Sequence, residues 1–376
     1  VTTVVVSSGV TSSGLVVSGG TVMTVLSGGT ATSDTIGSGG SVTVLQGGAA
    51  SGITVLSGGS VTVTEGSTAS GITVLSGGSL ATVEGGTAIG TTVSGGGYEV
   101  VSADGILSGT TVLSGGKEVA SGGGSALGTT VSGGGTQLVE GNGFAYGTVV
   151  SSGGTEMISG GQITGTTILS GASQIVIAGG PVFSTTINAG GFGLLNGQGS
   201  YVYVYSTTLS GGTEIVASHG GLYDAHVSSG GTVIVSSGGS SDDAVLYSGG
   251  TVLLSSGGTS LFDALDSGGT EILSSGGTAI LTTVSSGGSL VVSAGALALS
   301  ATLSSGGTLI LASGGTEQSL TSNTGAVLRP GDVYLSSGAE IIGEGNAPVG
   351  VTVGSGWTAV VLSGGTAIGG IVGSGR

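Results

Sequence analysis

Along residues 41–97 the chain alternates apolar and polar positions in short runs such as "SVTV", "ITVL" and "SVTVT", each closed by a glycine-rich turn. A period of two over four or five residues is the signature of a half-buried β-strand, and no run is long enough for an amphipathic helix. The pattern itself repeats. "SGITVLSGGS" stands at 51–60 and again at 70–79, nineteen residues on. The second glycine of the closing pair recurs at Gly40, Gly59, Gly78, Gly97, Gly116, Gly135 and Gly154, and again from Gly231 through Gly250, Gly269, Gly288 and Gly307. A second corner follows eight residues after many of these, at Gly48, Gly86, Gly239, Gly258, Gly277 and Gly315. Each unit therefore divides into an 8-residue half such as "TEILSSGG" and an 11-residue half such as "TAILTTVSSGG".

Nineteen residues cannot bury a core of their own, and each unit would leave strand edges unpaired. Stacking unit upon unit answers both needs. The expected fold is all-β: a single-stranded parallel β-helix (β-solenoid) with about 19 residues per coil, right-handed by the crossover rule. About 20 coils at ~4.8 Å would span on the order of 95 Å. Residues 1–376 read as one continuous solenoid. Irregularities or bends are expected at 192–210, where the step stretches to 21, and at 316–362, which lose the paired glycines and hold Arg329, Pro330, Pro348 and Trp357.

In such a coil, residues 19 apart stack into columns. Two apolar columns are expected in the core. One is Val100, Val119, Leu138 and Met157, resuming at Ile234, Leu253, Ile272, Val291 and Ile310; the other is Val55, Val74, Val93, Val112 and Val131, then Leu246, Leu265, Val284 and Leu303. The residues after the first column (Val101, Val139, Ile158, Val235, Leu254) are apolar too. Alternation cannot turn both inward, so one of the two lines a corner or an outer face. Polar columns keep the same step: Ser38, Ser57, Ser76 and Ser114 before the corner; Thr54, Thr73, Thr92, Thr111 and Thr130; and Glu99, Glu118, Gln137, Glu156 and Gln174.

Composition narrows the class. The 376 residues include 88 glycines, no cysteine, and 3 Lys+Arg against 19 Asp+Glu, a net charge of −16. Few charges with positive mean hydropathy are the opposite of a disordered composition. No apolar run reaches the length of a membrane-spanning helix. The acidity argues against nucleic acid as a partner. The chain begins directly in repeat-like sequence, so any targeting segment is expected to lie outside it.

Catalytic chemistry is sparse. "SHGGLYDAH" brings His219, Asp224 and His226 together in sequence, but His226 falls in the threonine column and reads as a solvent-facing substitution. No catalytic, metal or cofactor site is expected, and no enzyme; a lyase-like groove would need Arg329, Asp332 and Glu340 to converge. "GGFGLLNGQ" at 190–198 occurs once, without the stacked copies a calcium roll needs, and reads as a turn. An ice-binding array wants a second regular threonine rank, and the neighbouring positions are Thr91 and Thr129 but Ile53 and Ile72. The Glu/Gln column has two readings: a solubilising edge, or a cation-bridged or hydrogen-bonded contact strip between rods. Tyr201, Tyr203 and Tyr205 share one face by alternation and serve either as contact residues or as a cover over a bend.

The nineteen-residue period, the alternating "SGGT…TTVSSGG" and "GGTEILSSGG" halves and the lack of cysteine resemble the passenger domain of AIDA-type self-associating autotransporter adhesins. Residues 18–315 carry the likeness; 316–362 carry it poorly. The resemblance implies a bacterial cell-surface or secreted rod for cell aggregation, adhesion and biofilm formation. It also implies O-glycosylation of repeat serines, such as Ser57, Ser76 and Ser114, by a dedicated glycosyltransferase. The expected partners are therefore other copies of the rod, a host or other cell surface, and that transferase. The self-association strips expected are Thr54, Thr73, Thr92, Thr111 and Thr130; Glu99, Glu118, Gln137 and Glu156; and Tyr201, Tyr203 and Tyr205. The alternative is an extracellular fibre or matrix subunit built by end-to-end stacking.

Overall fold

The computed structural model of the chain describes residues 2–323 and 325–330, and the backbone of four further short strands within 333–372. The fold is a parallel β-solenoid of about 17 turns with about 19 residues per coil. One coil shows the plan. Ser60–Val63, Thr68–Ser70 and Thr73–Val74 are strands of four, three and two residues on three successive faces. Each pairs in parallel with its equivalents one coil before and after, as Ser60 does with Ser41 and Ser79 and Thr73 with Thr54 and Thr92.

The two glycines of a corner are needed for different reasons. Gly58 has φ +70°, the left-handed region a side chain disfavours. Gly59 has no such φ, but a Cβ on it would lie 2.4 Å from the Ile36 carbonyl oxygen of the coil before. The first lets the chain turn and the second lets adjacent coils close up. The hydrogen-bond ladder runs on through the corners, from Gly39 N–H to the Gly58 carbonyl (3.0 Å) and from Gly58 N–H to that of Gly77 (2.9 Å).

The chain forms two compact units, Val1–Thr185 with Gly190–Phe192, and Thr186–Ala189 with Gly193–Arg376. The first keeps the 19-residue step until Phe144 pairs with Gln162 and Thr155 with Ser173, each 18 apart, with a bulge after Ile158. In the second, Thr186 pairs with Thr208, a step of 22. The added length is a turn at 196–200, where Gly197 N–H donates to the Ser218 carbonyl (3.0 Å) and Ser200 N–H to that of Gly197 (3.0 Å). So "GGFGLLNGQ" is a strand, Phe192–Leu195, running into a turn. The next pairings are 18 apart, Val202 with Gly220 and Thr208 with His226. The 19-residue step resumes at Thr213 and Thr232 and persists further than expected, since Val327–Pro330 still pairs in parallel with Thr308–Leu311. Residues 316–323 and 325–330 therefore continue the coil, with strands Thr316–Gln318, Thr321–Ser322 and Val327–Pro330. Beyond it, Val333–Ser337 pairs antiparallel with Trp357–Val361. Asp332, Glu340 and Pro348 lie outside the described residues, so the convergence required for a lyase-like groove falls there too.

Burial follows strand alternation. In the four-residue strands the second and fourth side chains point inward, as Val61 and Val63 do. The column Val55, Val74, Val93, Val112, Val131, Leu246, Leu265, Val284 and Leu303 is fully buried, as expected. The other apolar column needs correction. Val100, Leu138, Met157, Ile234, Leu253, Ile272, Val291 and Ile310 occupy third positions and are half-exposed; Val119 alone is buried. The residues after them (Val101, Val139, Ile158, Val235, Leu254) form the core instead.

Candidate functional site

Because the fold repeats, its candidate sites are columns. Alternation decides which columns are available to a partner.

The Glu/Gln column is not available. Glu99, Glu118, Gln137, Glu156 and Gln174 hold second positions of the longest strand of each coil, four to six residues here, and are buried inside the coil. They are neither a solubilising edge nor a contact strip. They face a threonine column, Thr91, Thr110, Thr129, Thr148, Thr166 and Thr185, which is also buried. Hydrogen bonds link the two from Glu118 onward, whereas the Glu99 carboxyl and the Thr91 and Thr110 hydroxyls beside it make none. Gln137 Nε2 donates to Glu118 Oε1 at 2.6 Å, and Thr129 Oγ1 donates to the same oxygen at 3.0 Å. Thr148 donates to Gln137 Oε1 (2.9 Å), Gln174 Nε2 to Glu156 Oε2 (2.8 Å), and Thr166 to Glu156 Oε1 (3.2 Å). Thr91 and Thr129 thus face the interior, which is why no second rank flanks the outer threonines.

An ionised carboxylate is costly in such surroundings, so burial raises these acids toward their neutral form. Burial, and then the charge of Glu118, push Glu99 up to about 8. Burial pushes Glu118 up as well, and Glu156 to about 7 against the opposing bonds from Gln174 and Thr166. In the second unit the same position holds Glu214, raised by burial to about 8, and Glu271, raised by burial to about 7. Glu271 is bonded by Ser260 and by Thr282 (3.0 Å). At neutral pH much of this column is carboxylic acid, which donates as well as accepts.

The outward columns form the accessible surface. Thr54, Thr73, Thr92, Thr111 and Thr130 are half-exposed and in direct register, and Thr35 extends the column upward. A second outward threonine column, Thr24, Thr43 and Thr62, stands on the four-residue strands. Sequence reading missed it by starting that ladder at Val100. Ser57, Ser76 and Ser114 lie exposed on corners, one per coil.

Tyr201 and Tyr203 project outward, 66% and 38% exposed, with rings parallel to within 3° and centroids 6.1 Å apart. Tyr205 joins them on that face and stacks on Tyr223 (5.2 Å), which sequence reading passed over. The core beneath is closed by Val202 and Val204, so the tyrosines do not cover a gap. His219 packs edge-on against Tyr201 and His226 stacks on Tyr247. His226 stands in the threonine column and is partly exposed, as expected, 3.9 Å from Asp224. The two histidines serve different aromatic contacts and do not converge.

No family model matches the chain, and no curated protein matches it. Among solved structures the fold is similar to the crystal structure of a hyper-glycosylated TibA fragment whose glycosylation was catalysed by TibC. The two share 28% identity over 88% of this chain and 98% of that one, with a TM-score of 0.52.

Proposed function

We propose that the chain is an AIDA-type passenger: a surface-displayed or secreted adhesin rod that associates with copies of itself in cell aggregation and biofilm. The observation that carries this reading is the likeness to the TibA fragment over nearly the whole chain. The outward columns support it. Hydroxyls repeated at every coil let two rods meet at many weak points at once, and their number makes the sum strong. A net charge of −16 opposes that meeting, so salt should assist it by screening.

Glycosylation belongs to the same reading. Ser57, Ser76 and Ser114 are reachable by a transferase and are proposed as acceptors. Native material would then exceed the 34.7 kDa polypeptide mass in sugar-sized steps.

Beads carrying the protein test the function. They should clump, and clump more as ionic strength rises. Replacing Thr54, Thr73 and Thr92 with glutamate should disperse them. Beads that stay dispersed at every ionic strength overturn self-association; clumping that weakens with salt points instead to attraction between opposite charges.

A further inference from the structure

The tyrosine face carries more than a flat patch. On one face of the second unit, Tyr203, Gly221, Ser240 and Thr259 stand in register in successive coils. Gly221 has no side chain there, and the neighbouring tyrosine rings take up the space. A Cβ there would lie 2.9 Å from Tyr223 Cε2 and 3.2 Å from Tyr203 Cδ1. The two rings lean over the missing side chain, tilted 57° to one another with centroids 5.9 Å apart. The result is a cleft of about 290 Å³ with Tyr201, Tyr203 and Tyr223 as walls, the glycine corners as floor, and Ser240 and Thr259 on its rim.

The chemistry of this cleft selects its occupant. Its walls are aromatic rings, and its polar groups are hydroxyls, peptide groups and the His219 imidazole, which packs edge-on against Tyr201. No lysine or arginine lines it. With a net charge of −16 behind it, an anion would be repelled. A quaternary ammonium would want carboxylates among the rings. The nearby Asp224 and Asp242 lie outside the lining, and Asp242 stands in the next column, opposite Tyr223. A neutral ring with apolar C–H faces and hydroxyl edges suits both surfaces: it stacks on tyrosine and exchanges hydrogen bonds with Ser240, Thr259 and the Tyr223 phenol. Burial, and then the charge of Asp242, raise Tyr223 above the usual phenol range, so that hydroxyl remains a donor.

We propose that this cleft is a binding subsite for a neutral pyranose sugar, stacked on the exposed Tyr201 ring and edged by Tyr203 and Tyr223. The inference stands apart from self-association, which rests on the threonine columns.

The test is a titration of the full chain with a panel of neutral oligosaccharides (gluco-, galacto- and manno-configured), followed by tyrosine fluorescence and calorimetry, with choline as the cationic control. At least one sugar should bind saturably. Tyr201→Ala should weaken that binding about tenfold, the loss of one stacking face. Gly221→Val, which would push the Tyr223 and Tyr203 rings out of place, should abolish it. Tyr201 is largely exposed, so the first variant should keep the circular dichroism of the parent, and it carries the test if the second misfolds. Silence across the panel overturns the proposal, as does sugar binding unchanged by Tyr201→Ala, or binding of choline in place of sugar. Bead clumping, measured in parallel, reports on the threonine columns alone.

Discussion

Two stretches of the first unit have the same backbone and different interiors. From Met23 to Leu80 the second position of each four-residue strand is apolar, and Val42 and Val61 share their coils with Ile53 and Ile72. From Glu99 to Gln174 the same position is polar, and the facing column is threonine throughout. Register does not change between them: Leu80 pairs directly with Glu99. The coil therefore tolerates either filling, and it also admits mixed coils: Leu80 shares its coil with Thr91, Val252 with Asp263 and Glu214 with Ala225. A buried polar side chain without a partner is costly, whereas a paired one is close to neutral. From Glu118 to Gln174 the two facing columns work as a pair.

Breaking that pairing gives the largest effect. Val61→Glu sets an acid among apolar side chains and should cost roughly 3 kcal/mol or more in denaturant unfolding. Adding Ile72→Thr restores the facing donor of the polar coils and should recover about 1 kcal/mol. A double variant no more stable than the single one would refute the pairing rule.

A pH scan sharpens the comparison from the other side. The folded value for Glu99, about 8, lies above its ordinary 4.5. Stability from such a group is complete below the unfolded value and is lost as pH rises through the folded one. The protein should therefore be more stable at acid than at mildly alkaline pH, the fall lying between about 4.5 and about 8. Glu99→Gln should flatten the scan and gain on the order of 2 kcal/mol at its alkaline end. A flat profile for the unsubstituted protein would contradict buried acids. Smallest is Thr129→Val, which removes one donor to Glu118 and should cost about 1 kcal/mol by denaturant unfolding, more at alkaline pH.

Much of this was legible in the letters. The nineteen-residue step gave the coil, its corners and the column from Val55 to Leu303, because stacking demands that equivalent residues repeat. Which neighbour faces inward was harder to read where Val100 and Val101 are both apolar. The earlier coils hold the signal: Thr24, Thr43 and Thr62 mark the outward column, while Val25, Val44 and Val63 mark the inward one. The buried glutamates contradict hydropathy, which sends carboxylates to water. Their trace was a near-coincidence of columns: threonine replaces Ile53 and Ile72 from Thr91 on, and Glu and Gln follow from the next coil, at Glu99. The sugar cleft was least visible, because it depends on a side chain that Gly221 lacks and on Tyr223 leaning into the gap.

Infrared spectroscopy of the carboxyl groups tests most directly which side chains point in. At neutral pH the folded protein should keep a protonated-carboxyl band that shrinks in Glu99→Gln and vanishes on unfolding. A spectrum showing only ionised carboxylates at neutral pH would place the glutamates in water and contradict the account.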